Sequence, residues 1–176
     1  MIKIVCADIT TLDVDTIVNA ANKSLLGGGG VDGAIHAAAG PELAEYCRTL
    51  DGCETGQAKL SPGFRLQPRR VVHTVGPVWQ GGQHGEAGQL EQCYRNSMEL
   101  ALANDCRSIA FPAISTGVFG YPKQEAAVIA LRQMTRYVSR FDRIIACCFT
   151  SADADLYRRV LTELEDAERG TRNSGP

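Results

Sequence analysis

Strand-length apolar runs alternate with helix-length periodic segments along nearly the whole chain, and that alternation restricts the fold to a layered α/β architecture. Ile2–Cys6 and Thr16–Ala20 are rich in β-branched residues and predict the first two strands, with a turn at Asp8-Ile9-Thr10-Thr11 between them. Residues 31–39 are alanine-rich and predict a helix. Gly40-Pro41 ends it and starts another that runs to about Leu50. Residues 57–61 and 70–75 read as a further pair of strands, and 79–88 as a glycine-rich loop. Helix 89–103 carries Leu90, Tyr94, Met98 and Leu102 on one face. A buried strand at 108–113, a helix at 124–139, a last strand at 143–149 and a last helix at 153–165 complete the pattern.

With 176 residues, 44% of them hydrophobic and 22% charged, there is material for one ordinary core. Residues 1–166 are expected to form one domain, and the polar stretch 167–176 an irregular tail. The net charge of −2 argues against a broad cationic face for duplex nucleic acid. No apolar run approaches a membrane span. The opening MIKIVCADIT does not resemble a signal peptide, so the expected compartment is the cytoplasm. The seven cysteines are odd in number and contain no C-x-x-C, which predicts reduced core residues, with neither a disulfide framework nor a zinc site.

In open α/β sheets ligands bind at the carboxyl ends of strands, so the loops following strands carry the functional reading. After the second strand come Asn19, Ala20, Ala21 and Asn22, then Gly27-Gly28-Gly29-Gly30-Val31-Asp32-Gly33 leading into a helix. Successive glycines expose backbone N–H groups that a phosphate can approach, and the following helix N-terminus favours negative charge. A second such loop, Ser115-Thr116-Gly117-Val118-Phe119-Gly120, follows a later strand. Two anion-binding loops on one edge suit a diphosphate, although glycines also serve plain tight turns. The first loop lacks the Lys-Ser/Thr of a P-loop. No acidic residue stands at the end of a next strand, as a dinucleotide-binding site would require. Ser115 is not in a G-x-S-x-G elbow.

The segments Ala7-Asp8-Ile9-Thr10, Ile17-Val18-Asn19-Ala20-Ala21-Asn22, 27–36, His73-Thr74-Val75-Gly76-Pro77 and 112–122 occur in that order. Together they resemble the macrodomain family, in particular its MacroD-type branch and the bacterial O-acetyl-ADP-ribose deacetylases. The resemblance implies a three-layer α/β/α sandwich around a mixed, mostly parallel sheet that binds ADP-ribose over the strand ends without a cofactor or metal. By similarity Asp8 would accept a hydrogen bond from the adenine amino group, with Ile9 framing the ring; a turn-capping Asp is the competing reading. Asn22 would touch the distal ribose, and Asn19 would help hold the loop. Asp32 would activate the attacking water, against the alternative of an acid that merely stabilises a helix dipole. Gly28, Gly29, Gly30 and Val31, with Ser115, Thr116, Gly117, Val118 and Phe119, would clasp the diphosphate, and the Phe119 ring would cover the distal ribose. Relatives carry Tyr at the Phe119 position and Gly at Ala7, so a phenolic hydrogen bond is lost here. Phe149 would wall the adenine, or else belong to the core.

His36 follows Asp32 by one helical turn and could pair with it, although a structural role is the simpler reading; His73 reads as core and His84 as solvated. The resemblance implies hydrolysis of an ester at the distal ribose, from O-acetyl-ADP-ribose or from Asp and Glu side chains of mono-ADP-ribosylated proteins. A monomer is expected, with no membrane partner and with nucleic acid not indicated by the charge pattern. The competing class is a non-catalytic ADP-ribose reader, which the acid at Asp32 argues against.

Overall fold

A computed structural model describes residues 1–174. Six strands form one mixed sheet in the order β1-β6-β5-β2-β4-β3, where β1 is Ile2–Cys6, β2 Thr16–Ala20, β3 Ala58–Pro62, β4 Arg70–Thr74, β5 Ser108–Phe111 and β6 Arg143–Cys148. All neighbours are parallel except β3, which pairs antiparallel with β4 at the edge. Five helices flank the sheet: α1 (Gly30–Ala39), α2 (Pro41–Arg48), α3 (Glu86–Ala103), α4 (Lys123–Tyr137) and α5 (Ser151–Asn173).

Central parallel strands are covered on both faces, so they read as unbroken apolar runs whose alternate residues serve two cores. Ile17, Val71, Ala110, Ile145 and Cys147 pack with Ile35 and Ala39 of α1 and Leu43 and Cys47 of α2. Their neighbours Val18, Val72, Ile109, Phe111 and Ile144 pack against α3, α4 and α5 on the other face. The result is the expected three-layer α/β/α sandwich.

Several expected boundaries move for identifiable reasons. β5 stops at Phe111 because Pro112 has no N–H for the ladder. α3 starts three residues early, at Glu86, whose carboxylate is held by the preceding loop. Its buried face runs through Leu90, Tyr94 and Met98 and then Ala101, with Leu102 only partly covered. α5 continues to Asn173, which corrects the irregular tail expected from residue 167; Gly175 and Pro176 lie outside the described residues. Beyond Leu164 this helix buries nothing, and it persists because Ala167, Glu168, Arg169 and Arg172 are good helix formers that add one bond per residue. Six cysteines are buried and all seven are free thiols, but Cys6, on the edge strand, is exposed. Among the described residues no helix is long and apolar enough to cross a membrane.

Candidate functional site

The strand order gathers the candidate residues on one edge. Asp8 and Ile9 follow β1, Phe149 follows β6, the 115–119 loop follows β5, and Asn22 with the glycine loop follows β2. From β1 to β2 is three strand steps, roughly 14 Å at about 4.8 Å each. That span suits an extended ligand with a ring at one end and a sugar at the other.

The β1 end holds Asp8 as the cap of a 3₁₀ turn, Ile9–Thr11. Its Oδ1 accepts from the Thr10 amide at 2.9 Å and from the Thr10 hydroxyl at 2.7 Å. The turn-capping reading is therefore correct for one carboxylate oxygen, while the side chain remains exposed. Ile9 is buried beneath it. Phe149 is 92% exposed, which removes the core alternative and leaves its ring on the surface, while its carbonyl lies 3.7 Å from Cys6 Sγ at the end of β1.

In the middle, the 115–119 loop departs from ordinary backbone at Ser115, φ +67°. Such a conformation costs a residue with a Cβ about 1–2 kcal/mol, and the surrounding bonds enforce it. The Tyr121 amide donates to the Ser115 carbonyl at 2.9 Å, Gly120 to Gly117 at 3.0 Å, and the Thr116 hydroxyl to Ala113 at 3.0 Å. The amides of Gly117, Val118 and Phe119 have no partner among the described residues, so they remain free to donate outward. Val118 is fully exposed at the tip and Phe119 is half-buried.

A second loop supports the first. The Trp79 amide donates to the Phe119 carbonyl at 2.8 Å, and the Trp79 ring lies against Tyr121 with centroids 4.7 Å apart. The loop that follows Trp79 is held in turn by Glu86, whose buried carboxylate accepts from the amides of Gln80 at 3.0 Å, Gly82 at 2.8 Å and His84 at 2.5 Å. Burial alone would raise the Glu86 pKa, but these donors outweigh it and hold the group down at about 2. Sequence reasoning overlooked Glu86 and Trp79; an acid directly after a glycine-rich loop, in the first turn of a helix, was the available signal.

At the β2 end, α1 begins at Gly30 with Gly29 as N-cap and no side-chain cap bond, so the first amides of the helix have no side chain answering them. Asn22 shapes the loop before it. Its Nδ2 donates to the Gly27 carbonyl at 2.9 Å, while Oδ1 accepts from the Ser24 hydroxyl at 2.7 Å and the Leu25 amide at 3.2 Å. The carboxamide is thus a loop staple with one N–H to spare. Gly33 fits because a Cβ there would stand 2.6 Å from the Gly28 carbonyl oxygen.

Asp32, in the first turn of α1, is 4% exposed. Its Oδ1 accepts from Asn19 Nδ2 at 2.8 Å, and Asn19 itself is fully buried, away from any ligand surface. Gly28 passes close above. A Cβ at Gly28 would lie 3.1 Å from Asp32 Oδ2 and 3.4 Å from Asn22 Nδ2, so only a residue without a side chain lets the backbone pass this close to both groups. His36 Nε2 approaches Asp32 Oδ1 at 3.4 Å without the alignment of a hydrogen bond. His73 is fully buried and His84 exposed, as expected. Among the described residues no cluster of three or more His, Cys, Asp or Glu side chains could hold a metal ion.

Residues 18–130 match the family described as the Macro domain. A macro domain-containing protein of Ralstonia nicotianae is 60% identical over 157 residues, covering 89% of this chain and 92% of its own. A Klebsiella pneumoniae protein named O-acetyl-ADP-ribose deacetylase is 53% identical over 166 residues, covering 90% and 95% respectively. The solved Oceanobacillus iheyensis macrodomain with ADP superposes with a TM-score of 0.89 at 43% identity, over 93% of this chain and 91% of that one.

Proposed function

The chain belongs to the Macro domain family, and from that premise we propose that it binds ADP-ribose along the strand-end groove and hydrolyses an ester on the distal ribose. O-acetyl-ADP-ribose is the first substrate, as in the name of the Klebsiella relative. Mono-ADP-ribosyl groups on protein Asp and Glu side chains are the second, being esters of the same ribose. Adenine lies at Asp8 and Ile9 with Phe149 beside it, and the diphosphate between the amides at 28–31 and those at 115–119. The distal ribose lies over Asn22 and Asp32 under the Phe119 ring.

Positioning comes before acid or base. The two loops fix the diphosphate, so the ester carbonyl and a water meet over Gly28 without a search. Asp32 takes a proton from that water as its oxygen bonds to the acyl carbon. The tetrahedral intermediate then expels the ribose oxygen, which leaves with the proton. A phosphate oxygen of the substrate flanks the same water and shares in holding it. No covalent enzyme intermediate is needed.

The observation that carries this reading is Asp32, buried at the floor of the glycine loop with Oδ1 tied to Asn19 and Oδ2 facing Gly28. Asp32→Asn tests it, because the amide oxygen can still accept from Asn19 while the base is gone. Release of acetate from O-acetyl-ADP-ribose should fall by about 10²–10⁴-fold, with ADP-ribose affinity retained. Tight ADP-ribose binding by a wild-type protein that turns over neither ester would leave a reader module instead.

A further inference from the structure

Behind Asp32 a line of buried polar groups runs away from the ligand edge, through three elements that have no other reason to be polar there. Asn19 on β2 and His73 on β4 are register neighbours on the face covered by α1 and α2, and both are fully buried. Asn19 Nδ2 stands 2.8 Å from Asp32 Oδ1 and 3.2 Å from His73 Nδ1. On the far side of the imidazole, His73 Nε2 is 2.8 Å from the hydroxyl of Ser61, which is buried on the edge strand β3 and directs its own proton to the Pro62 carbonyl at 3.0 Å. Cys47 of α2 closes the surroundings, 3.8 Å from Nε2.

Hydrogen counting leaves one consistent arrangement. Asn19 has two N–H bonds, and both point to acceptors: the carboxylate of Asp32 and the imidazole Nδ1. That nitrogen must then be unprotonated, which puts the ring proton on Nε2, where it is donated to Ser61 Oγ. The opposite amide orientation would set Asn19 Oδ1 against the Asp32 carboxylate, acceptor against acceptor. Asn19 Oδ1 is in fact buried with no partner among the described residues, a loss tolerated to aim both N–H groups. Burial, and then the nearby His36, lower the His73 pKa to about 3, in agreement with a neutral ring.

We propose that His73 and Ser61 are positioning residues for the hydrolysis: Ser61, as acceptor, anchors the ring proton on Nε2, the bare Nδ1 locks the Asn19 carboxamide, and Asn19 pins Asp32 Oδ1 and leaves Oδ2 presented to the water over Gly28. Neither residue touches substrate. The role rests on the reading of Asp32 as the base. Without the lock the carboxylate can rotate about its Cβ–Cγ bond, and a misplacement on the order of 1 Å is enough to slow a reaction by roughly 100-fold.

Ser61→Ala removes the tautomer anchor, Ser61→Thr restores a hydroxyl, and His73→Leu removes the ring. In Ser61→Ala and His73→Leu, kcat on O-acetyl-ADP-ribose should fall by roughly 10- to 100-fold while ADP-ribose affinity, by calorimetry, stays within about twofold. Ser61→Thr should recover most of the rate. Long-range nitrogen-proton NMR of the wild-type protein should show His73 neutral with its proton on Nε2 through pH 5–8, and Ser61→Ala should redistribute that proton between the two nitrogens. An Nδ1–H signal in the wild type, or undiminished kcat in Ser61→Ala, overturns this inference and leaves the hydrolase reading standing. Absence of turnover in the wild type refutes the hydrolase reading and this role with it.

Discussion

Gly76, just after β4, offers a direct test of whether the diphosphate loop is held by packing at its root. A Cβ placed there would stand 2.1 Å from Ser115 Oγ and 2.7 Å from the Ile114 methyl Cγ2, both far inside the roughly 3.5 Å of a comfortable contact. The hydroxyl could swing away, but Ile114 is 1% exposed and cannot. Gly76→Ala must therefore displace the start of the loop. Overpacking of this kind costs about 1–3 kcal/mol, and for a chain of this length each kcal/mol lowers Tm by about 2–4 °C, giving a drop of roughly 2–12 °C. ADP-ribose affinity should fall with it, since the amides of Gly117, Val118 and Phe119 hang from Ser115. Adding Ser115→Gly removes one of the two obstructing groups and the cost of φ +67°, so the double variant should recover about half or more of the lost stability. Thermal unfolding of the four proteins in the cycle, followed by calorimetry with ADP-ribose, reads both quantities. A Gly76→Ala protein as stable as wild type, or a double variant whose losses simply add, would refute the packing argument.

Glu86 contributes stability that is fully present above its unfolded pKa near 4.5 and is lost as pH falls toward about 2, since its folded pKa is depressed. Glu86→Gln should flatten that part of the Tm-against-pH curve, and an unchanged curve would show that the carboxylate does not organise the Trp79 loop. Gly33→Ala brings a methyl to 2.6 Å from the Gly28 carbonyl and should cost about 1–3 kcal/mol in chemical denaturation, together with ADP-ribose binding. Asp8→Asn keeps a cap acceptor for Thr10 but turns the remaining oxygen into an N–H donor facing the adenine amino group. Tm should hold while ADP-ribose affinity drops about tenfold or more, and equal affinity would reduce Asp8 to its turn role.

What the sequence revealed, and what it hid, follows from how local each cause is. β1 and β2 were readable residue for residue: β2 is covered on both faces and its Ile17 and Val18 stand side by side in the run, while β1, half-exposed at the sheet edge, is legible through the β-branched residues Ile2, Ile4 and Val5. The two glycine loops announced themselves through backbone that only small residues permit. The Asn19–His73 contact did not, since the partners are 54 residues apart and meet only through the strand order. Asn22 was legible as a site residue, but its stapling of residues 24–27 depends on how the loop closes. Phe149 follows an apolar strand and reads as core by composition, although the chain turns it outward as the strand ends. The far end of α5 carries no burial pattern at all, so periodicity had nothing to detect.

The pairing of β1 with β6 has a consequence for how the molecule is made. Ile2 finds its register partner in Ile144, so β1 has no neighbour until the ribosome has added the residues that lead to β6. At about 5–20 residues per second that wait is on the order of ten seconds, during which β1 presents an unpaired edge. The glycine loop, which follows β2, can form before β6 arrives to seat β1 and its Asp8 turn. On the proposed reading of the site, the Asp8 end that would take adenine is the last part to be assembled, after the glycine loop that would take the distal ribose.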